Sequence, residues 1–359
     1  MKPPDWTLQV EKTLREASSR IRLIYAATPV DLAAELRRLE AKWNAGDFCG
    51  PHFSYPPLQN HGELVQSLDR LADGLLGKGP LGGIHAERAR EMAHEAAMIS
   101  AVGTRRLREL ARIRFSRRDA FDHAADALVK NWLEEPFEEQ SIPLGELVRS
   151  DDPHDPRSLL VRMRAEIGAR KLAFRVVVVR DASALAATGD GFVQVVAGKT
   201  LTVTDVERTV LHEIEGHVVP RCRASVARLG IFVLGTRYGI DDQEGRALWI
   251  EERAGFLQMR RRRELALRHR AARWLDGEAD FVETARHLML LGAPIPDALR
   301  ITARVFRGGG LGREVVYVPA FLRVGAALSA DPTLDEVLSA GRVAVDAAHI
   351  LRPWVNEMH

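Results

Sequence analysis

The residues best suited to chemistry are two histidines and an acid in the segment His212–His217, which reads HEIEGH. Two neutral imidazoles on one helix can bind a borderline-soft cation such as Zn²⁺. Zinc lowers the pKa of a bound water from 15.7 towards about 7, and a carboxylate beside the first ligand can accept the released proton. The segment therefore indicates metal-assisted hydrolysis with Glu213 as the general base. Without a metal, the two histidines would be ordinary helix residues hydrogen-bonded to their neighbours.

The spacing of these histidines is one residue longer than in the common H-E-x-x-H motif. At 3.6 residues per turn, a five-residue spacing leaves the two side chains roughly 140° apart on an ideal helix. A single π-bulge absorbs one residue and returns both side chains to one face, and such bulges are frequent at functional sites. We therefore predict a π-bulge between His212 and His217, with the helix distorted at Gly216.

A metal site also needs a third protein ligand, which in zinc hydrolases is commonly a carboxylate from a later helix. Glu244, in a QEG segment at the start of the next predicted helix, is the first candidate. Glu251 and Glu252 lie two turns further on; either could be the ligand, or could orient a histidine from behind. Cys222 is a poorer candidate and is expected to be a small buried residue.

The elements that must position these residues differ along the chain. Residues up to about 135 are predicted to form successive helices, as the amphipathic spacing of Asp31–Asn44 indicates. The stretch from Glu134 to Pro156 is rich in proline and acids, which is typical of a linker. We therefore expect a helical N-terminal region over residues 1–150 and a catalytic region over residues 151–359.

The catalytic region begins with strand patterns. Phe174–Val179 is a β-branched run typical of a buried strand, and Gly191–Ala197 is predicted as a second strand antiparallel to it. An edge strand near 191–197 could align an extended substrate by strand addition. The predicted fold class is α+β and mostly helical, with a zincin-like metallopeptidase core and a small sheet.

Helix boundaries follow from capping and periodicity. Thr204 and Glu207 have capping-box spacing, which predicts a helix that begins at or just before Val206 and continues through His217. A second, long helix is predicted from about residue 242 to residue 274.

Composition excludes several other classes of protein. Lys and Arg number 51 and Asp and Glu 49, so the formal net charge is +2 and no strong field attracts nucleic acid or acidic membranes. The two cysteines, Cys49 and Cys222, exclude a disulfide framework and a four-thiolate zinc module. The first 20 residues lack the apolar segment that is typical of a signal peptide, and no apolar run approaches the roughly 20 residues of a membrane span. We therefore expect a soluble, cytoplasmic protein without nucleic-acid or membrane partners.

The HEIEGH segment, followed by QEGRA at Gln243–Ala247, resembles the tyrosine and tyrosine-like carboxypeptidase family. Bacterial members of that family are described as flavohemoglobin expression-modulating proteins with a QEGLA motif. Its eukaryotic relatives include a microtubule-associated enzyme that removes the C-terminal tyrosine of α-tubulin. Four other parts of this chain are similar to family segments: Thr28–Asp31, Pro51–Tyr55, Val305–Gly308 and Tyr317.

The resemblance implies that His212, His217 and Glu244 bind zinc, and that Glu213 is the general base and then the general acid. It also implies a carboxypeptidase whose substrate is the C-terminus of a peptide or protein, with a tyrosine-like terminal residue. The tetrahedral oxyanion of the reaction needs a further donor. Tyr317 is the candidate, and the alternative is a buried aromatic whose hydroxyl is already satisfied.

A carboxypeptidase must also hold the terminal carboxylate of its substrate, and arginine binds carboxylates through a bidentate fork. Arg307, which precedes three glycines, is the preferred anchor. Arg221 and Arg237 are competitors, and the alternative is that Arg307 forms an ordinary structural ion pair.

The sequence departs from the family pattern at two places. Glu215 and Gly216 replace the usual Gly-Thr or Gly-Val, and Arg246 replaces the leucine of QEGLA. An added acid and an added base beside the metal could alter substrate choice. Two other functions stay open: an endopeptidase or amidase with the same base, and a non-catalytic regulatory protein. Sequence alone determines neither the natural substrate nor the oligomeric state.

Overall fold

A computed structural model describes residues 2–136, 146–180 and 184–355. Helices dominate and the strands form two small sheets, so the predicted mostly helical α+β class is confirmed. Among the described helices, none is both long and apolar enough to cross a membrane.

The described helices, in chain order, are α1 (Asp5–Arg20), α2 (Leu23–Ala27), α3 (Leu32–Asn44), α4 (Gly62–Leu75), α5 (Gly79–Ser100), α6 (Arg106–Phe115), α7 (Ala120–Glu134), α8 (Leu159–Ala169), α9 (Val203–Glu213), α10 (Val219–Ser225), α11 (Ile231–Leu234), α12 (Gly239–Arg253), α13 (Met259–Asp276), α14 (Phe281–Leu290), α15 (Ile295–Val305), α16 (Tyr317–Ala330), α17 (Leu334–Leu338) and α18 (Val345–Val355). A π-helical segment joins α9 to α10 over Ile214–Val218, and two 3₁₀ segments cover Arg307–Gly309 and Arg313–Val316.

The described strands are β1 (Leu147–Arg149), β2 (Arg175–Val179), β3 (Ala186–Thr188), β4 (Phe192–Val196) and β5 (Thr200–Thr202). One sheet pairs β1 with β5 antiparallel, and the other has the order β2-β4-β3. β2 and β4 are parallel, so the predicted antiparallel pairing is wrong. β4 is the central strand of its sheet, so the predicted edge strand near 191–197 is also wrong. The reason is β3, which pairs antiparallel with β4 and is itself an edge.

The contacts of the chain define two compact units, each discontinuous in sequence. The unit that contains HEIEGH, here the motif unit, comprises Pro136–Arg261 and Arg323–His359. The other, here the N-terminal unit, comprises Lys2–Glu135 and Arg262–Leu322. This division differs from the expected boundary near residue 150, because residues 262–322 pack with the N-terminal helices. Arg307 and Tyr317 consequently belong to the N-terminal unit.

An apolar cluster in the motif unit orients α9. Val206, Val210 and Ile214 recur at four-residue spacing and are buried against the sheet and α8. His212 lies two residues after Val210, which is about 200° around the helix. Burial of the valine face therefore turns His212 to the opposite side.

Two helix boundaries differ from the sequence prediction. α9 begins at Val203 because the Thr202 hydroxyl accepts from the Asp205 N–H at 2.9 Å, so the cap lies two residues before the expected one. The long helix predicted over residues 242–274 is two helices, α12 and α13. α12 ends in a Schellman motif, in which Gly255 has φ +78° and its N–H donates to the Glu252 carbonyl.

Candidate metal centre

The helix of the HEIEGH segment widens where the histidine spacing requires it. Ile214–Val218 is a π-helix, and the N–H of Val219 donates to the carbonyl of Ile214, five residues back. The predicted π-bulge is therefore confirmed. The added residue brings His217 onto the face of His212, and their Nε2 atoms lie 3.4 Å apart.

Gly216 lies inside the π-helix, at the place the sequence predicted. Its φ is not in the left-handed region, so backbone freedom is not what requires glycine here. A Cβ on Gly216 would lie 2.6 Å from the Cβ of Ala247 on α12. The glycine therefore lets α12 approach the two histidines closely.

α12 brings Glu244 to the histidine pair. Glu244 Oε2 lies 3.7 Å from His212 Nε2 and 3.8 Å from His217 Nε2. The three side chains are between 13% and 14% exposed. One donor atom from each lies within 4.8 Å of the other two, so the structure brings together the three predicted ligands.

The outer nitrogens of both imidazoles have partners. His212 Nδ1 contacts Glu251 Oε1 at 2.6 Å, and His217 Nδ1 contacts the Gln243 side-chain oxygen at 3.2 Å. A carboxylate or amide oxygen only accepts, so each Nδ1 carries the proton and donates. In the neutral form of each ring, the lone pair of Nε2 then points towards the other histidine.

These convergent acceptors repel one another unless a cation lies between them. Burial lowers the pKa of His212, but hydrogen bonds with Glu244 and Glu251 outweigh it and raise the pKa to about 9. Burial lowers the pKa of His217. The carboxylates beside His212 therefore favour a positive charge in this cluster.

The donor set fits zinc. Tetrahedral ligands that bind Zn²⁺ at 2.0–2.1 Å lie roughly 3.3–3.5 Å from one another. The 3.4 Å between the two Nε2 atoms matches this separation, and Glu244 lies slightly beyond it. Two imidazoles and one carboxylate also leave the fourth tetrahedral position for water.

Glu213 is buried, with 6% of its surface exposed, and follows His212 directly. Its Oε2 accepts a hydrogen bond from the Thr188 hydroxyl at 2.6 Å. Thr188 ends the edge strand β3, which was not predicted because three residues are too short to show a period. The base candidate is therefore fixed by a residue that sequence reasoning missed.

The other ligand and anchor candidates of the motif unit have different contacts. Glu252 is exposed, and Cys222 packs at the margin of the apolar cluster. Arg221 donates through Nη1 to the Gly189 carbonyl at 2.5 Å and to Asp190 at 2.7 Å. Arg237 stacks on the ring of the adjacent Tyr238.

Glu215 and Arg246, the charged residues that depart from the family pattern, each form a salt bridge. The Glu215 carboxylate contacts Arg170. Arg246 donates to Asp335 through Nε at 2.6 Å and Nη2 at 3.0 Å, and through Nη1 to the Glu215 carbonyl at 2.8 Å. A π-helical turn shifts the hydrogen-bond ladder, and Arg246 supplies a donor to one carbonyl of that turn.

In the N-terminal unit, Arg307 and Tyr317 belong to a set of side chains around the buried acid Glu314. We call this set the arginine cluster; it comprises Arg268, Arg304, Arg307, Glu314 and Tyr317. Glu314 forms salt bridges with Arg268 and Arg304, and Arg304 Nη2 donates to the Tyr317 hydroxyl at 3.3 Å. Burial raises the pKa of Glu314, but the two arginines outweigh it and lower the pKa to about 2.

Arg307 is 6% exposed, and its Nε and Nη2 have no hydrogen-bond partner among the described residues. Burial lowers its pKa to about 10, and the charge of Arg304 contributes. The expected alternative, an ordinary ion pair of Arg307, therefore does not account for these two donors.

A sequence model of the microtubule-associated tyrosine carboxypeptidase family matches residues 44–358. The chain belongs to this family. The suspected resemblance is confirmed, although the similar segment at Thr28–Asp31 lies before the matched range. No curated protein and no solved structure matches the chain.

Membership of the microtubule-associated tyrosine carboxypeptidase family defines the class of activity and substrate. The family's activity is of the carboxypeptidase type, and its substrates are proteins or peptides. The matched range includes both histidines, Glu213, Glu244 and the arginine cluster.

Proposed function

We propose that the protein is a zinc-dependent carboxypeptidase with a zincin-like core, which removes a tyrosine-like residue from the C-terminus of a peptide or protein. The observation that carries the proposal is the convergence of His212 Nε2, His217 Nε2 and Glu244 Oε2, with both outer nitrogens already bound. Two inward-facing imidazole nitrogens and one carboxylate are a donor set that suits zinc at their centre.

When bound, zinc supplies a Lewis acid that polarises the scissile carbonyl and lowers the pKa of water. His212, His217 and Glu244 would hold it. Glu213 accepts a proton from the attacking water and returns it to the leaving amine. The Thr188 hydroxyl donates to Oε2 of Glu213 and so holds the orientation of this carboxylate for the proton exchange.

Arg307 is the proposed anchor for the terminal carboxylate. Nε and Nη2 lie along one edge of a guanidinium, which is the edge that binds both oxygens of a carboxylate. The same edge of Arg162 binds Glu207 in this chain, at 2.7 and 3.0 Å. On Arg307 both donors of this edge are unpartnered among the described residues.

Tyr317 is the proposed donor to the oxyanion. Its hydroxyl oxygen accepts from Arg304, so the hydroxyl proton is available to donate. The positive charge of Arg268, whose guanidinium carbon lies 4.5 Å from the ring centroid, favours this donation.

The proposal is tested with peptides that end in tyrosine and carry either a free or an amidated C-terminus, read by mass spectrometry. We expect loss of the last residue from the free peptide alone. Glu213→Gln should lower the rate by a factor of about 10²–10⁴ and keep the zinc content, whereas Glu252→Gln, a change on an exposed face, should not lower it.

Each rival function predicts another result. Cleavage of both peptides at equal rates would show an endopeptidase or amidase. A zinc-free protein that cleaves neither peptide would favour a regulatory role. Wild-type rates in Glu213→Gln would contradict the mechanism.

A further inference from the structure

Glu251 is fully buried in the motif unit, at 0% exposure, and the proposed hydrolysis gives it no step. Its Oε1 accepts from His212 Nδ1 at 2.6 Å. Arg261 donates to both of its oxygens, through Nε at 3.0 Å and Nη2 at 3.2 Å. Arg208 Nη1 lies 3.9 Å from Oε2. A buried carboxylate is costly unless it is paired, and here two arginines and a histidine pair it.

The geometry of α12 explains how Glu251 and Glu244 act on one ring. They lie seven residues apart, which is two turns, so both project from the same face of the helix. Glu244 reaches the Nε2 side of His212, and Glu251 reaches its Nδ1 side. One helix face therefore contacts both nitrogens of this imidazole.

The partner of the second histidine is weaker. His217 Nδ1 donates to a neutral amide, that of Gln243, at 3.2 Å, against 2.6 Å to the carboxylate for His212. Hydrogen bonds to an ionised acceptor are shorter and roughly twice as strong as neutral ones. The orientation of His212 therefore depends more on its outer partner than that of His217 does.

From this geometry we propose that Glu251, held by Arg261, is a positioning residue that fixes the ring of His212 with Nε2 directed at His217 and Glu244. The inference rests on the proposed zinc function. Glu251 contacts neither substrate nor metal in this account; it acts through His212. It thus takes the orienting role, and not the ligand role, among the two that its sequence position allows.

The test measures zinc affinity by competition with a chromophoric chelator, in the full-length protein. Glu251→Leu should weaken zinc binding about 10–100-fold, which is the usual effect of losing the outer partner of a ligand. Gln243→Leu should weaken it less. Glu252→Leu, at the exposed neighbouring position, should change it less than about twofold.

A second variant separates positioning from mere charge pairing. Glu251→Leu removes the carboxylate that Arg261 binds and could unfold the protein, so Glu251→Leu/Arg261→Met removes both charges. We expect the double variant to recover the thermal midpoint of the zinc-free protein while its zinc affinity stays low. The visible spectrum of the Co²⁺-loaded double variant should also differ from that of the wild type.

Recovery of wild-type zinc affinity and of the Co²⁺ spectrum in the double variant would overturn the inference and leave the proposed function intact. Equal affinities of wild type and Glu251→Leu would do the same. A wild-type protein that binds no zinc would overturn the inference together with the proposed function, so the two failures are distinguishable.

Discussion

The ligand cluster of the motif unit comprises His212, His217 and Glu244, and it differs in charge from the arginine cluster of the N-terminal unit. The first presents acceptor atoms, and the second presents cationic donors. Around His212 and His217, acceptor atoms converge and their outer nitrogens are already bound. Around Glu314, Arg268 and Arg304 pair with the acid, and Arg307 keeps two buried donors that have no hydrogen-bond partner among the described residues.

The charge of each cluster indicates the charge of the ligand that it can bind. Burial makes an unbalanced set of like groups costly, whichever its sign. The first cluster suits a cation, which under the proposed function is zinc. The second offers two guanidinium donors without a partner among the described residues, and a substrate carboxylate has the charge and the planar shape that a guanidinium edge binds.

The largest expected effect concerns the acid of the arginine cluster. Glu314→Gln should lower the free energy of unfolding by about 3–5 kcal/mol at neutral pH, because it removes a buried carboxylate that pairs with both Arg268 and Arg304. Denaturant titration measures this. Glu87→Gln, on an exposed face of α5, should change stability by less than about 0.5 kcal/mol.

The stabilising effect of Glu314 should also depend on pH, in a direction that follows from its pKa. The pKa of Glu314 is about 2 in the folded chain against an ordinary 4.5. Its stabilisation is complete above pH 4.5 and is lost as the pH falls towards 2. The difference between wild type and Glu314→Gln should therefore shrink in acid; a difference that grows would contradict the assignment.

Arg307→Met should lower kcat/KM for peptides with a free C-terminus about 100-fold, or about 2.7 kcal/mol, because the terminal carboxylate loses its fork. Arg307→Lys should recover little, since an ammonium is not bidentate. Arg300→Met is the control, because Arg300 is exposed and pairs with Asp297. Steady-state kinetics on the peptide with a free C-terminus measure this effect. An unchanged kcat/KM would show that Arg307 does not bind the substrate.

Gly216→Ala tests the packing on which the ligand cluster depends. The new methyl group would overlap Ala247, so we expect the free energy of unfolding to fall by about 1–3 kcal/mol. Zinc binding should also weaken, because α12 and Glu244 are displaced. Gly168→Ala, on an exposed face of α8 with nothing within 4 Å, should stabilise by about 0.5–1 kcal/mol. Thermal unfolding and zinc titration are measured for both variants. Equal changes in stability and zinc affinity would show that the close approach of α12 to Gly216 is unimportant.

Arg246→Leu restores the family's residue and should have the smallest effect. It removes the donor to the Glu215 carbonyl and the partner of Asp335, so we expect the free energy of unfolding to fall by about 1–2 kcal/mol. Zinc affinity should change only a few-fold, because no ligand atom is touched. A large loss of zinc would instead make Arg246 essential to the π-helical turn.

The sequence predicted the local features of the site well. The five-residue histidine spacing allowed a shared face only through a π-bulge, and the π-helix lies where that argument placed it. Glu244 could be named because a helix-borne carboxylate after the HEIEGH segment suits a zinc hydrolase. Its rival Glu251 was separated from it only by the structure, which places Glu251 on the outer side of His212.

Non-local features were predicted less well, for physical reasons. The parallel pairing of β2 with β4 depends on β3, whose three residues carry no periodicity. Two overlapping capping patterns precede α9, at Thr202 and at Thr204, and in the structure Thr202 is the cap. The break after α12 requires a glycine at positive φ, and Gly255 was overlooked inside a strongly helical pattern.

The most direct test of the central claim is elemental analysis of purified protein that has not met a chelator. We expect about one zinc ion per chain in the wild type and in Glu213→Gln, and none in His217→Ala. A wild-type protein without zinc, or a His217→Ala variant that retains it, would contradict the claim that these side chains grip a metal.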